Sequence, residues 1–94
     1  MTFRIERVVD GESESVLRVC GRVDIECVNI LKELIETESA KTVLDLSEVS
    51  VADYDADTFL AACELEGIEL KNCLAFLRGW VSKEQARLKR LLWR

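Results

Sequence analysis

Two short stretches near the start of the chain have the alternating pattern of β-strands. Residues 3–9 nearly alternate apolar and charged side chains, and residues 16–20 form a second, mostly apolar stretch. Between them, Asp10 and Gly11 begin a polar segment with the composition of a tight turn. The pattern therefore predicts an antiparallel hairpin whose second strand ends at Gly21.

The apolar residues that follow recur at the spacing of two amphipathic helices. Asp24 can cap the first helix, which we expect to begin near Ile25 and to end near Ser39. The second helix begins after Asp53, and Gly67 is well placed as its C-terminal cap. The predicted buried positions are Val28, Leu31, Leu34 and Ile35 in the first helix and Ala56, Phe59, Leu60 and Cys63 in the second.

Two more strands are predicted between and after these helices. Residues 42–46 are a compact apolar run, typical of a central strand that is covered on both faces. Residues 47–53 are predicted to form a short loop, and residues 68–73 alternate again, which predicts a fourth strand.

A C-terminal helical segment, residues 74–94, completes the predicted fold. Ser82 and Gln85 match a capping box and the apolar series loses step at Glu84, so the pattern favours two helical pieces. The order is β-β-α-β-α-β-α. With right-handed crossovers it predicts an α/β fold with a four-stranded mixed sheet packed by helices. No repeat or linker interrupts the sequence, which indicates a single domain over residues 1–94.

The composition argues against an enzyme. The 94 residues contain no histidine, so neither a Ser/His/Asp nor a Cys/His nucleophile pair can form. No P-loop or GxGxxG motif is present to hold a nucleotide, and the four cysteines lie too far apart in sequence for a zinc site. We therefore expect no catalytic residue, no metal and no cofactor.

Cysteine usage and the first residues of the chain indicate a cytoplasmic protein. The cysteines form no CxxC pair, and half of the residues are apolar, so we expect buried free thiols rather than the disulfides of a secreted miniprotein. The first residues lack the apolar core of a signal peptide, and no apolar run is long enough to span a bilayer.

Charge is unevenly distributed along the chain. Residues 1–70 contain seventeen acidic and six basic side chains, whereas residues 71–94 contain one acidic and seven basic ones, within a net charge of −5. The overall acidity argues against nucleic acid and against a membrane surface as the main partner. We expect the basic segment to meet solvent or the acidic part of the same chain.

Two motifs resemble those of STAS domains, the family of the anti-sigma-factor antagonists. Residues 44–56 read Leu-Asp-Leu-Ser-Glu-Val-Ser-Val-Ala-Asp-Tyr-Asp-Ala, similar to the family's strand ending in Asp-Leu-Ser followed by Asp-Ser-Ser-Gly at a helix start. Residues 19–24 resemble the strand-Gly-x-x-Asp entry to the first helix, and the likeness covers about residues 3–72. The resemblance implies a bacterial signalling module that binds an anti-sigma factor or a switch-kinase-like protein.

The resemblance also places Asp55 at a special position. In STAS antagonists the second serine of Asp-Ser-Ser-Gly is typically phosphorylated by a partner kinase. Here Tyr54 replaces the first serine, Asp55 stands at the phosphoacceptor position and Ala56 replaces the glycine. Aspartate carries about one negative charge against roughly 1.5 to 2 for phosphoserine. The hypothesis is therefore a module held in one signalling state, or one whose partner does not use phosphorylation.

The predicted partner-binding surface is the segment around the second helix start, comprising Ser47, Asp53, Tyr54, Asp55, Asp57 and Thr58. Helix capping and dipole compensation explain the carboxylates equally well. Tyr54 can instead cover neighbouring apolar atoms, and Ser47 can bond the loop backbone. The acidic site of a response-regulator receiver, which would join Asp45 to these carboxylates, fits poorly because the chain is short.

The terminal helix offers an alternative function, self-association. Trp80, Leu91 and Trp93 are the candidate contacts of a homodimer, since tryptophan is common among binding hot spots. Packing of these residues on the sheet is the competing interpretation. A third alternative, by analogy with some STAS domains, is a small ligand or acyl chain bound under the sheet.

Overall fold

The computed structural model describes residues 3–10, 14–37 and 41–92. Its elements follow the predicted order, which confirms the α/β arrangement. The centre of the predicted turn after Asp10, the predicted end of the first helix and Trp93 lie outside the described residues. The elements are β1 (Phe3–Asp10), β2 (Glu14–Val23), α1 (Ile25–Thr37), β3 (Lys41–Ala52), α2 (Tyr54–Leu65), β4 (Glu69–Lys71) and α3 (Ala75–Leu92).

The four strands form one mixed sheet in the order β1-β2-β3-β4. β1 is antiparallel to β2, while β2, β3 and β4 run parallel, as predicted. Both parallel crossovers step in the same direction, so right-handed connections place α1 and α2 on the same face. The core joins that face to all three helices and includes Leu17, Val19, Leu44, Leu46, Val28, Leu31, Leu60, Leu77 and Val81.

The opposite face of the sheet has a row of charged side chains. Glu6 pairs with Arg18 and Arg18 with Asp45 in the strand register. Arg18 also lies 3.9 Å from Glu6 and 3.8 Å from Asp45 between charged atoms. Residues 42–46 of β3 are nevertheless all buried, as predicted for a strand covered on both faces, although the described helices all pack on the other side.

Two strands are longer than predicted because bulges interrupt their alternation. β2 continues through Gly21, which adopts a φ of +88°, and ends at Val23. β3 occupies most of the predicted loop 47–53 and contains an extra residue at two places, before Glu48 and before Val51. The bulges move successive buried side chains out of the period-two pattern, so the sequence resembles a loop.

α3 is a single helix from Ala75 to Leu92, so the predicted break at the capping box was wrong. Glu84, where the apolar series loses step, is only 7% exposed. It accepts hydrogen bonds from Thr58 Oγ1 at 3.3 Å and from Arg87 Nε at 2.9 Å. Glu84 thus occupies a buried position where the helical pattern predicts an apolar residue, and its hydrogen bonds compensate for the burial of the carboxylate.

The basic terminal helix packs on the acidic second helix, which confirms one of the two expectations for its charge. Arg78 donates two hydrogen bonds to the Glu64 carboxylate, at 2.8 and 3.0 Å, and Gln85 Nε2 donates a third at 2.6 Å. The bonds from Arg78 hold the pKa of Glu64 below its usual range, against the opposing effect of burial.

All four cysteines are free thiols. Cys27 and Cys63 are buried, and burial, with Asp24 beside Cys27 and Glu66 beside Cys63, raises each thiol pKa to about 12. Cys20 and Cys73 are only half-buried, which corrects the expectation that all four are buried.

The predicted cap at Gly67 has the hydrogen bonds of a Schellman motif. Ile68 N–H donates to the Cys63 carbonyl at 3.0 Å, and Gly67 N–H donates to the Glu64 carbonyl at 3.1 Å. Gly67 adopts a φ of +99°, in the left-handed region that other residues enter at a cost. The turn into β4 therefore requires glycine for its backbone conformation.

Two glycine substitutions should change stability in opposite directions. A Cβ at Gly67 or at Gly79 meets no atom within 4 Å, so neither creates a clash. Gly67→Ala should destabilise by about 1–2 kcal/mol through its positive φ. Gly79→Ala, in the exposed part of α3, should stabilise by about 0.5–1 kcal/mol. Urea unfolding followed by circular dichroism measures both, and a stabilising Gly67→Ala would contradict the backbone argument.

Candidate functional site

The starts of α1 and α2 lie side by side at the carboxyl ends of β2 and β3. Asp53 N–H donates to the Val23 carbonyl at 3.2 Å and so ties the end of β3 to the end of β2. Asp24 Oδ1 accepts from Cys27 N–H at 3.1 Å, and Asp53 Oδ1 accepts from Ala56 N–H at 3.0 Å. Both aspartates are therefore N-terminal caps, as predicted.

The first turn of α2 presents an aromatic ring and a carboxylate to solvent. Tyr54 is 60% exposed, so most of its ring covers no neighbouring apolar atoms, and Asp55 is exposed beside it. The Arg87 guanidinium lies 5.9 Å from the centre of the Tyr54 ring. Ile25, in the first turn of α1, is also 47% exposed.

Asp57 and Thr58 face the body of the protein instead. Thr58 is half-buried and bonds Glu84 of α3. Asp57 is only 6% exposed, so the expectation of a carboxylate open to a partner is corrected for this residue. The burial of Asp57 could not be predicted locally, because the element that covers it, α3, begins some twenty residues further along the chain.

The environment of Asp57 favours its protonated form. Burial, followed by the charges of Asp53 and Glu84, raises the pKa of Asp57 to about 6. Its Oδ1 atom has no hydrogen-bond partner among the described residues. A buried carboxylate oxygen without a donor is costly, which makes Asp57 an unusual feature of this helix.

Ser47 does not join the other predicted site residues. It lies six residues before Asp53 in β3, a separation of roughly 15–20 Å in extended chain. Its backbone N–H donates to Asp45 Oδ1 at 3.0 Å, and Asn72 Nδ2 donates to the same atom at 3.4 Å. Burial would raise the pKa of Asp45, but these hydrogen bonds and the Arg18 charge lower it. Ser47 therefore belongs to a structural cluster in the sheet.

Trp80 of α3 extends the surface at the α2 start. It is 53% exposed and, with Ala52, Tyr54 and Asp57, lines a shallow depression of about 280 Å³. Sequence reasoning assigned Trp80 to self-association and missed Ile25. The available signal for Ile25 was an apolar residue directly after a helix cap.

A groove runs between α1 and α2 from the same surface. Two adjoining depressions of about 320 and 290 Å³ share Lys32, Phe59 and Ala62. The Lys32 ammonium lies 6.0 Å from the centre of the Phe59 ring. The groove therefore offers space for a small ligand between these two helices.

Among residues 3–10, 14–37 and 41–92, no three acidic or cysteine side chains come together in a group that could hold a metal ion. Asp45 is thus not joined to the helix-start carboxylates in a receiver-like cluster. No helix within the same residues is long and apolar enough to cross a membrane.

The remaining candidates for self-association lie along one stripe of α3. Leu91 is 62% exposed, and Phe76, which sequence reasoning did not single out, is 47% exposed. At 100° per residue, Phe76, Trp80 and Leu91 fall within about 60° of one another around the helix.

Comparison with solved structures identifies the fold. The chain is similar to the STAS domain of an anti-sigma-factor antagonist from Rhodobacter sphaeroides, with a TM-score of 0.55 and 21% sequence identity. The match covers 74% of this chain and 84% of that chain. No protein-family model matches the sequence, and the comparison with curated proteins found no match. The chain therefore has the STAS fold, as the two motifs predicted.

Replacing Asp57 with its neutral isostere should make stability less dependent on pH. The folded state holds this proton up to about pH 6, against an ordinary pKa of 3.8, so it binds more protons between these values. The contribution of Asp57 to the free energy of unfolding therefore falls as pH rises from about 4 to above 6. Asp57→Asn should raise the free energy of unfolding by about 1–3 kcal/mol at pH 7.5 and much less at pH 4.

Urea unfolding at both pH values tests this, with Glu33→Gln on the exposed side of α1 as the matched control. The control should change stability by less than about 0.5 kcal/mol at either pH. An Asp57→Asn protein that is less stable than wild type at pH 7.5 would show that the ionised carboxylate is favourably bound.

Proposed function

We propose that this chain is a non-enzymatic, cytoplasmic regulatory module that binds another protein, as the anti-sigma-factor antagonists with this fold do. The partner is an anti-sigma factor or a switch-kinase-like protein. It binds the helix-start surface, which we define as Ile25, Tyr54, Asp55 and Trp80.

The observation that carries this proposal is the exposure of two aromatic rings beside a helix start. Tyr54 and Trp80 are 60% and 53% exposed and line one depression, and Ile25 lines a second depression together with Tyr54. Tyrosine and tryptophan supply much of the free energy of protein–protein binding, because each buries a large rigid area. Clustered exposed apolar groups of this kind are typical of interaction sites.

Asp55 gives this surface a charge that does not depend on a kinase. It is exposed in the first turn of α2, where the helix dipole favours a negative group. By the resemblance to STAS antagonists it occupies the phosphoacceptor position. The module then holds one signalling state permanently, because no phosphate has to be added or removed there.

Affinity capture from a cell extract of the source organism, with the captured proteins identified by mass spectrometry, tests the partner class. We expect an anti-sigma factor or switch kinase. Its affinity should fall about tenfold or more with Tyr54→Ala, because an aromatic anchor is lost. Asp55→Ala should alter the affinity, and Asp55→Ser should make it sensitive to treatment with the captured kinase.

Glu33→Ala is the matched control, since it removes an exposed carboxylate from another helix without touching the helix-start surface. The affinity of the Glu33→Ala protein for the captured partner should equal that of the wild type. If Asp55→Ser binds with unchanged affinity, with and without kinase, the permanent-state hypothesis is wrong. If Tyr54→Ala binds as well as wild type, the partner does not use this surface.

A second candidate function is self-association through α3. The stripe of Phe76, Trp80 and Leu91 is exposed on a helix whose buried side includes Leu77 and Val81. Trp80 belongs to both surfaces, but Leu91 lies about 16 Å further along the helix. Leu91 therefore separates the two candidates.

Analytical ultracentrifugation across a concentration series measures the oligomeric state and so tests self-association. A homodimer built on the stripe should dissociate in Leu91→Ala and in Trp80→Ala but persist in Tyr54→Ala. A chain that stays monomeric at high concentration removes the self-association function.

A further inference from the structure

We propose that the depression between Tyr54 and Trp80 is a subsite for a cationic side chain, a lysine or arginine, of the protein partner, with Asp57 as its counter-ion. The inference rests on the proposed function, because it names the chemistry that the partner must present at the helix-start surface. It adds a site and a ligand class that neither the fold nor the STAS motifs specify.

The lining of the depression has the two groups that recognise a cation in proteins. Tyr54 and Trp80 supply exposed π faces, which attract a positive charge at van der Waals distance. Asp57 supplies a carboxylate. At about 280 Å³ the depression lies just below the range of small-molecule pockets, and it suits a single side chain.

The unpartnered oxygen of Asp57 is the observation that points to a ligand. The residue is 94% buried, yet its Oδ1 accepts no hydrogen bond from the described residues. The terminal torsion of aspartate is soft, so a small rotation can turn either oxygen toward the depression. A guanidinium or ammonium group supplies the missing donor and a positive charge next to the ionised carboxylate.

Each of the two rings has one of the protein's own cations beside it, but neither cation bonds Asp57. Arg87 Nε lies 2.9 Å from Glu84 Oε1, with the guanidinium 5.9 Å from the Tyr54 ring. The Lys83 ammonium lies 5.2 Å from the Trp80 ring. Neither bonds Asp57 in the described structure, so the carboxylate remains available for a cation from outside.

Binding of a cation at this site should be linked to pH. Asp53 at the cap of α2 and Glu84 of α3 act on the charge of Asp57, and Tyr54 lines the same depression. Arg87 and Lys83 of α3 lie beside the Tyr54 and Trp80 rings. The two acidic neighbours and burial keep Asp57 protonated up to about pH 6. A cation favours the ionised form, so binding releases the proton and should strengthen as pH rises through that range.

Titration of the ¹⁵N-labelled full chain with N-acetyl-arginine amide, followed by NMR, tests the subsite at pH 7.5. We expect saturable shifts at the amides of residues 52–58 and at the Trp80 indole N–H, with a Kd on the order of 1–10 mM. N-acetyl-citrulline amide has the same shape without the charge and should bind at least tenfold more weakly.

Two variants and a measurement at a second pH distinguish binding of the probe at the subsite from its general attraction to an acidic protein. Asp57→Asn should weaken binding of the arginine probe at least tenfold. Glu26→Gln, which removes an exposed carboxylate from the start of α1, should leave it unchanged. At pH 5 the wild type should bind about tenfold more weakly than at pH 7.5, because most Asp57 is then protonated. Asp57→Asn should show no such dependence.

Equal binding of the two probes, shifts centred elsewhere, or unchanged binding by Asp57→Asn would each overturn the subsite. If Asp57→Asn fails to fold, the comparison of the two probes and the pH dependence of binding by the wild type still test the subsite. Failure here is distinguishable from failure of the proposed function. A captured partner that needs Tyr54 but tolerates Asp57→Asn supports the function alone, while a probe that binds in a chain without a partner supports the subsite alone.

Discussion

The packing of α3 against α2 is the contact on which the candidate site depends. Leu77 and Val81 bury the inner side of α3 in the core, and Arg78 binds the Glu64 carboxylate through two hydrogen bonds. This contact brings Trp80 beside Tyr54 and closes over Asp57. Without α3, Asp57 would be an ordinary solvated carboxylate at a helix start, and the aromatic pair would not exist.

Acidic side chains form ion pairs with basic ones where α2 and α3 pack together. Among the described residues, the aspartates at the start of α2 form no such pair. The cations of α3 neutralise Glu64 and Glu84 along the α2–α3 interface. The start of α2 keeps three aspartates within five residues, and the Asp24 cap of α1 lies nearby. One of the three, Asp53, is occupied as a cap and another is exposed. The helix-start surface therefore has one exposed carboxylate, Asp55, and the cations of Arg87 and Lys83 lie beside its two aromatic rings.

Local signals predicted those features that neighbouring residues alone decide. Asp24 and Asp53 cap their helices because each side chain reaches an amide three residues away. Gly67 ends α2 because its backbone needs a positive φ. The bulged strand β3 and the continuous α3 were missed, since the first loses its alternation and the second has buried Glu84 in an apolar position.

The sequence by itself determined the order of the elements, their caps, the STAS-like fold and the place of Tyr54 and Asp55 at the start of α2. Only the tertiary structure decided which of the predicted site residues share a surface. Ser47 is separated from the helix start by the length of an extended strand, and Asp57 is enclosed by a helix that begins eighteen residues later. A hydropathy pattern treats every carboxylate as exposed. Burial depends on which distant element lies against it, and that is a property of packing.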